Sequence, residues 1–182
     1  DDLEVNTARV QLEGLLDTLR DAKEYGSILK VENYNWELLR RFVSAADAGT
    51  QISMDSNGLE VTVEQLLSLI DIAETMERKY DVVVTNPPYM AVSNGGARLN
   101  DYVKKNYPDS KADLFAVFME RYGMMTCQNH YQAMITQHSW MFISSFENLR
   151  EKLLQKDTVN MAHLGARAFE EIRGEVVQTT TF

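Results

Sequence analysis

Residues 81–85, with the sequence DVVVT, restrict the possible folds of this chain more than any other segment. The run is rich in β-branched side chains and shows no alternation of apolar and polar residues. A strand with one solvated face alternates, whereas a strand covered on both faces of a parallel sheet is apolar throughout. The run therefore predicts a central parallel strand buried on both faces, and it ends abruptly at Asn86-Pro87-Pro88-Tyr89.

Strand and helix patterns alternate through the rest of residues 80–182. Apolar residues at helical spacing predict three helices, and short apolar runs predict three further strands. The helices are expected at 99–107, 112–125 and 146–155, and the strands at 131–136, 159–164 and 175–182. Strands that alternate with helices are typical of an open α/β sheet, in which we expect the strand at 131–136 to lie beside the first one.

Residues 1–79 have a different character, mainly helical and acidic. They carry 16 acidic and 8 basic side chains, against 11 and 10 in residues 80–182. A leucine stripe at positions 12, 15, 16 and 19 predicts a first helix. Thr62 and Gln65 have the spacing of a capping box, on a helix that runs to about Lys79. Between these helices we expect a short strand at 27–31, a helix at 35–48 that stops at Gly49, and a loop or small hairpin at 50–61.

The composition argues against several classes of protein. No stretch approaches eighteen uninterrupted apolar residues, so we expect no membrane span. The acidic start has no apolar region of the kind that a secretory signal needs. Cys127 is the single cysteine, which excludes an internal disulfide and a CxxC zinc site. These features together favour a reducing, cytoplasmic setting.

The charge limits how this chain can contact nucleic acid. A formal net charge of −9 argues against strong phosphate binding, because phosphate contacts need Lys and Arg. Residues 80–182 contain a small local basic excess, formed by Arg98, Lys104, Lys105 and Lys111. The simpler interpretation of these four residues is a solvated helix face. If DNA is the substrate, we expect most of the phosphate contacts to lie outside this chain.

The tetrapeptide after the first strand has the residue types that methylation of an amino group needs. Ligands of open α/β sheets bind beyond the carboxyl ends of the strands, where Asn86 stands. The exocyclic amino group of adenine is a poor nucleophile, and two acceptors aimed at its hydrogens stabilise the charge that develops on nitrogen. The side-chain oxygen of Asn86 and the carbonyl of Pro87 are the candidate acceptors. Pro87 and Pro88 stiffen the turn, and Tyr89 offers a flat face for an unstacked base.

This chemistry needs no general base, because the methylated nitrogen is acidic and loses its proton to water. The three histidines, His130, His138 and His163, stand at no recognisable catalytic spacing from an acid or a thiol, so we interpret them as surface or packing residues. The simple alternative for the tetrapeptide is an ordinary proline-rich turn at the end of a strand.

Residues 80–90, YDVVVTNPPYM, resemble the catalytic motif of amino methyltransferases with a Rossmann-like fold. The segments YPDSKADLFAVFMERY, MITQHSWMF and LGARAFEEIRGEVVQTTTF resemble the adenine-specific methyltransferases of bacterial restriction-modification systems, in particular the PglX-type enzymes of bacteriophage-exclusion (BREX) systems. The resemblance covers most of residues 80–182. It is weaker over residues 1–79, where DAKEYGSILKV at 21–31 is the most similar piece.

This resemblance implies a partial Rossmann-like class I α/β sheet and a division of the chain. Residues 80–182 would be the catalytic part, and residues 1–79 a helical, acidic segment that leads into it. The implied cofactor is S-adenosyl-L-methionine, and the implied substrate is N6 of an adenine flipped out of double-stranded DNA. Other subunits of a defence system are implied as further partners, with no metal and no membrane.

The resemblance also adds three candidate site residues. Phe169 is the candidate for stacking on the second face of the flipped base, with core packing as the alternative. Asp113 and Phe115 lie in a stretch that often contacts the cofactor in related enzymes, although core packing suits Phe115 better.

One departure from the family pattern concerns the cofactor. None of the nine glycines stands in a Gly-x-Gly arrangement, whereas the family has a glycine-rich loop after its first strand. We therefore expect that loop upstream and the target-recognition region beyond residue 182, which makes this chain an internal fragment. We also expect the chain alone to bind S-adenosylmethionine weakly or not at all and to be inactive.

Two other functions are compatible with the same residues. Enzymes that methylate glutamine amides in proteins or amino groups in RNA use the same tetrapeptide, but the family-like extension after Tyr89 disfavours them. A non-catalytic methyltransferase-like interaction module is a third possibility. The intact tetrapeptide argues against it, because a module without catalysis has no reason to keep these residue types together.

Overall fold

The structure is a computed structural model that describes residues 2–45, 52–53, 60–165 and 178–182. It divides into two compact units, Asp1–Arg78 and Lys79–Phe182. None of the described helices is both long enough and apolar enough to cross a membrane.

The first unit is mainly helical. Its helices are α1 (Asp2–Leu19), α2 (Ala22–Tyr25), α3 (Trp36–Ser44) and α4 (Val63–Glu77). The short strands β1 (Ile52–Ser53) and β2 (Glu60–Val61) pair in antiparallel fashion. Leu12, Leu15 and Leu19 are buried, so the predicted leucine stripe forms the inner side of α1. The antiparallel pair supports the hairpin interpretation of residues 50–61, and its connecting residues 54–59 lie outside the described part.

Helix capping in the first unit follows the sequence signals. The Thr62 hydroxyl accepts from Gln65 N at 3.2 Å, and the Gln65 side chain accepts from Thr62 N at 3.0 Å. The predicted capping box of α4 is therefore confirmed. Asn35 caps α3 by accepting from Leu38 N. Gly49, the predicted stop of α3, lies outside the described residues.

The predicted strand at 27–31 is wrong. Gly26–Ile28 form a 3₁₀ turn, and the chain after it is irregular. Ile28 and Leu29 are nonetheless almost fully buried. The apolar residues that suggested a strand therefore pack into the core from a turn, and a short apolar run does not distinguish these two arrangements.

The second unit is an α/β structure. Its strands are β3 (Tyr80–Thr85), β4 (Thr126–Gln137), β5 (Ala162–Gly165) and β6 (Thr179–Thr181). Its helices are α5 (Ala97–Asn106), α6 (Leu114–Met125) and α7 (Glu147–Leu153). The sheet order is β3-β4-β6-β5. β3 and β4 are parallel, whereas β6 runs antiparallel to both of its neighbours, so the sheet is mixed.

The neighbour of β3 is the one that the sequence predicts. Val82 pairs with Tyr131 and Thr85 with Met134, which places 131–136 beside 81–85. The remaining elements lie where expected, with helix and strand ends that differ by a few residues, and β4 begins five residues early. Residues 175–177 of the predicted final strand lie outside the described part.

The predicted burial of β3 on both faces is wrong. β3 is an edge strand of the described sheet, and the side chains of Val82 and Val84 are 57% and 70% exposed. Helix α6 packs against β3 and β4. Val82 and Val84 share one face because side chains alternate along a strand. Tyr131, which pairs with Val82, is exposed as well. The described residues thus leave this face uncovered, although its sequence is that of a covered strand.

Candidate functional site

The tetrapeptide forms a loop where β3 ends, and we call residues 86–89 the NPPY loop. Thr85 closes β3 and pairs with Met134 in the parallel strand β4, so the NPPY loop leaves the sheet at the carboxyl edge of both strands. Asn86 and Pro88 are exposed, Pro87 is buried, and Tyr89 is half-buried. The buried proline fixes the loop to the protein, and the exposed Asn86 side chain is open to a ligand.

Tyr89 is held in place at both ends of its side chain. Its hydroxyl donates to the carbonyl of Ile135 in β4 at 3.1 Å. Its ring meets Phe115 edge to face, with ring centres 6.2 Å apart. Burial raises the pKa of Tyr89 above its ordinary value, so the phenol stays protonated and continues to donate at neutral pH. The ring therefore has a fixed orientation beside the cluster of buried residues around Phe115 and Met134.

Asp113 ties the end of the NPPY loop to helix α6. Its Oδ1 accepts from Met90 N at 3.1 Å and from Phe115 N at 3.2 Å, so one carboxylate oxygen holds the loop and caps the helix. Two backbone bonds lie beside it, from Leu114 N to Met90 O at 2.9 Å and from Val92 N to Ala112 O at 3.2 Å. The chain after the loop is thereby fastened to the start of α6.

The environment of Asp113 shifts the pKa of its carboxyl group in two opposite directions. Burial raises the pKa of Asp113, and hydrogen bonds from the backbone N–H groups of Phe115, Met90 and Leu114 lower it. Burial is the larger effect. A half-buried carboxylate that already accepts backbone bonds is better suited to hold the protein together than to bind a ligand.

Among the other candidates that the structure describes, Phe115 is placed less favourably for a role in the site. Phe115 is fully buried and belongs to the core cluster with Phe146 and Met119, which favours core packing over cofactor contact. Phe169, the candidate for the second stacking surface, lies outside the described residues. Within the described ranges no group of three or more His, Cys, Asp or Glu side chains could hold a metal ion.

The histidines make contacts that their sequence spacing did not reveal. His138 Nδ1 lies 3.0 Å from His163 Nε2, and His130 Nε2 lies 3.0 Å from the carboxylate of Asp81. Asp81 stands near the amino end of β3, however, and the NPPY loop follows its carboxyl end. The His130–Asp81 pair is therefore remote from the loop along the strand.

The family model described as Eco57I restriction-modification methylase matches residues 5–169. The chain belongs to this family. The resemblance to adenine-specific methyltransferases, inferred from the segments around and after the NPPY loop, is thereby confirmed.

Two curated relatives of this Eco57I-family chain bear similar names. It is 44% identical over 173 residues to the adenine-specific methyltransferase PglX of Lacticaseibacillus casei (strain Zhang), an alignment that covers 94% of this chain and 14% of the relative. It is 39% identical over 181 residues to the adenine-specific methyltransferase BrxX of Escherichia coli O9:H4 (strain HS), which covers 97% of this chain and 15% of that protein. The chain thus spans a small part of the length of either relative.

The sequence contains a signal for the capping role of Asp113 that the helix prediction does not use. An Asp directly before an apolar helical run is a preferred N-cap. The predicted helix at 112–125 places Asp113 inside the helix, where it has no capping role. α6 in fact begins at Leu114, with Asp113 as its N-cap. The contact between Tyr89 and the Ile135 carbonyl has no comparable sequence signal.

Proposed function

We propose that this Eco57I-family chain is the catalytic part of a methyltransferase that transfers a methyl group from S-adenosylmethionine to N6 of a flipped adenine in double-stranded DNA. The setting is a restriction-modification or phage-defence system. The observation that carries the proposal is the exposed Asn86 on a loop that is fixed at the carboxyl edge of a parallel strand pair. We further propose that β3 and β4 belong to a Rossmann-like sheet, which the parallel pair and its helical crossover support.

Asn86 and Pro87 would activate the adenine amino group. The Asn86 side chain is exposed and offers an amide oxygen as an acceptor. The second acceptor would be the backbone carbonyl of Pro87, whose buried ring fixes its position. Two acceptors on the amino hydrogens stabilise the positive charge that builds up on nitrogen, and they do so most strongly in the transition state. After transfer the nitrogen loses a proton to water, so no side chain has to act as the base.

Tyr89 would support one face of the flipped base. Its hydroxyl bond to Ile135 and its edge contact with Phe115 hold the ring, and its half-exposed position leaves part of it open to a ligand. A ring that is already fixed loses little conformational freedom when a base stacks on it. Stacking of a base on an aromatic side chain typically contributes about 1–3 kcal/mol.

We propose that this chain does not hold a complete site for S-adenosylmethionine. No Gly-x-Gly arrangement occurs in the sequence, and the two residues considered for the cofactor are engaged elsewhere. Phe115 is fully buried, and the Asp113 carboxylate accepts backbone hydrogen bonds. S-adenosylmethionine is therefore proposed as the methyl donor on family grounds, and the main part of its site is proposed to come from another segment of a longer protein.

The test compares DNA from cells with and without the full-length protein. We expect N6-methyladenine at defined sites in wild-type cells, measured by methylation-sensitive digestion and mass spectrometry, and its loss with Asn86→Ala. Asn160→Ala is the matched control, because Asn160 is also exposed but lies in the loop before β5. Methylation that appears in RNA or on protein glutamine, with none in DNA, would replace the proposed substrate. No methylation of any of the three would favour a non-catalytic module.

A further inference from the structure

We propose that Asp113 is a positioning residue that holds the NPPY loop in its working position, and that it is not a cofactor ligand. The inference rests on the proposed function of the NPPY loop. Asp113 would then affect methyl transfer without touching the base, because it acts through the backbone of Met90.

The geometry places Asp113 at a junction of two segments. Its Oδ1 accepts from Met90 N, one residue beyond Tyr89, and from Phe115 N in the first turn of α6. The side chain is therefore bonded to the residue that follows the NPPY loop on one side and to a 12-residue helix on the other. That helix packs against β3 and β4, the strands whose carboxyl ends carry the site.

A carboxylate suits this junction because both of its partners are N–H donors. Hydrogen bonds to an ionised acceptor are shorter and stronger than bonds between neutral groups. The amino end of α6 adds to this effect, because the first N–H groups of a helix carry partial positive charge. The adjoining bonds, Leu114 N to Met90 O and Val92 N to Ala112 O, join backbone to backbone. The Asp113 side chain is therefore the part of this junction that a substitution can remove.

Loss of the Asp113 carboxylate would leave the Met90 N–H, which is half-buried, without this acceptor. A buried donor without a partner is unfavourable, so the loop is expected to shift until Met90 N finds another acceptor. Asn86 stands only four residues before Met90, and a displacement of the reacting groups by about 1 Å typically lowers the rate about a hundredfold. The main consequence is thus a misplaced pair of acceptors at Asn86 and Pro87.

The experiment uses the full-length protein and three variants in DNA methylation assays. For Asp113→Ala we expect kcat to fall about tenfold to a hundredfold, with little change in the KM values for DNA and S-adenosylmethionine. For Asp113→Asn we expect most of the rate to return, because the amide oxygen can accept the same two bonds. Thr62→Ala is the control: it removes a helix cap of the same kind from α4, in the first unit, and should leave kcat unchanged.

A second measurement does not depend on activity. Hydrogen–deuterium exchange should become faster at residues 86–92 in Asp113→Ala, and it should stay at the wild-type rate there in Asp113→Asn and Thr62→Ala. If wild-type protein methylates nothing, the proposed function fails, and the exchange rates still decide whether Asp113 holds the loop.

Two results would overturn the inference. One is an Asp113→Ala protein with wild-type kcat and unchanged exchange at residues 86–92. The other is a KM for S-adenosylmethionine that rises by a similar factor in Asp113→Ala and Asp113→Asn, with unchanged exchange at residues 86–92. That result would make Asp113 a cofactor ligand.

Discussion

At the scale of single residues, Asn86 and Pro87 are neighbours with opposite exposure. Pro87 is buried and fixes the backbone, whereas the Asn86 side chain is exposed. We expect Asn86→Ala in the full-length protein to lower kcat on the order of a hundredfold to a thousandfold with little change in KM, because the lost acceptor acts mainly in the transition state. Single-turnover kinetics on unmethylated and hemimethylated duplexes measure this effect. Wild-type methylation by Asn86→Ala would remove Asn86 from the proposed chemistry.

Tyr89 allows the ring and the hydroxyl to be tested separately. Tyr89→Phe removes the bond to the Ile135 carbonyl and keeps the ring, so the free energy of unfolding should fall by about 0.5–1.5 kcal/mol while methylation largely persists. Tyr89→Ala also removes the stacking surface, so kcat should fall and KM should rise. Urea unfolding and steady-state kinetics on the two variants provide the comparison. Equal kinetic loss in both would mean that the hydroxyl, and not the ring, matters for the reaction.

At the scale of elements, a charged network joins α7 to α6 and to the turn before it. Lys152 Nζ lies 2.6 Å from Asp109 Oδ2 and 2.9 Å from Glu120 Oε1. Ser110 donates to the other oxygen of Glu120 at 2.7 Å. The Glu120 side chain is only 6% exposed, and its two carboxylate oxygens accept hydrogen bonds from Lys152 and Ser110. The network thus fixes the position of α7 against α6, the helix that Asp113 caps.

Removal of Lys152 should destabilise the second unit in a way that depends on pH. We expect Lys152→Met to lower the free energy of unfolding by about 1–2 kcal/mol near neutral pH. This value is smaller than that for a fully buried ion pair, because the Lys152 side chain is half exposed and solvent screens its charge. Lys152 lowers the pKa of Asp109 below its ordinary 3.8, and the two carboxylates raise the pKa of Lys152 above 10.5. The loss should therefore shrink as the pH falls below about 4 or rises far above 10.

Urea unfolding at several pH values measures this difference. Lys156→Met is the matched control, because Lys156 is exposed and lies only four residues further along the chain. A constant difference in the free energy of unfolding between wild type and Lys152→Met from about pH 3 to about pH 9 would contradict the electrostatic origin.

The elements also show how far the sequence predicts this fold. The capping box of α4 and the position of the NPPY loop follow from local patterns, because each depends on residues close together in the chain. The pairing of β3 with β4 joins distant segments and follows instead from the alternation of strands with helices along the chain. The prediction that β3 is buried on both faces was wrong. The valine run indicates that the strand is suited to burial, but it does not indicate which segment would cover it. The Tyr89–Ile135 bond spans 46 residues. No local pattern predicts such a contact.

At the scale of the whole molecule, this chain corresponds to a small part of its curated relatives. It spans 14% and 15% of the two curated relatives, and it has no Gly-x-Gly arrangement. We expect residues 1–182 alone to bind S-adenosylmethionine weakly or not at all and to show no turnover. Titration calorimetry on the isolated chain tests this expectation. Micromolar binding would mean that the cofactor site lies within this chain after all.

The open side of β3 has a practical consequence for anyone who produces the chain in isolation. Val82, Val84 and Tyr131 form a solvent-exposed apolar surface, and the edge strand beside it has backbone groups with no neighbouring strand in the described sheet. Such an edge is a template for pairing between molecules, and charged residues are the usual protection against it. We expect the isolated chain to self-associate as its concentration rises and Val84→Lys to remain monomeric, as sedimentation velocity would show. Its solubility, and not its fold, would then set the limit on work with the protein.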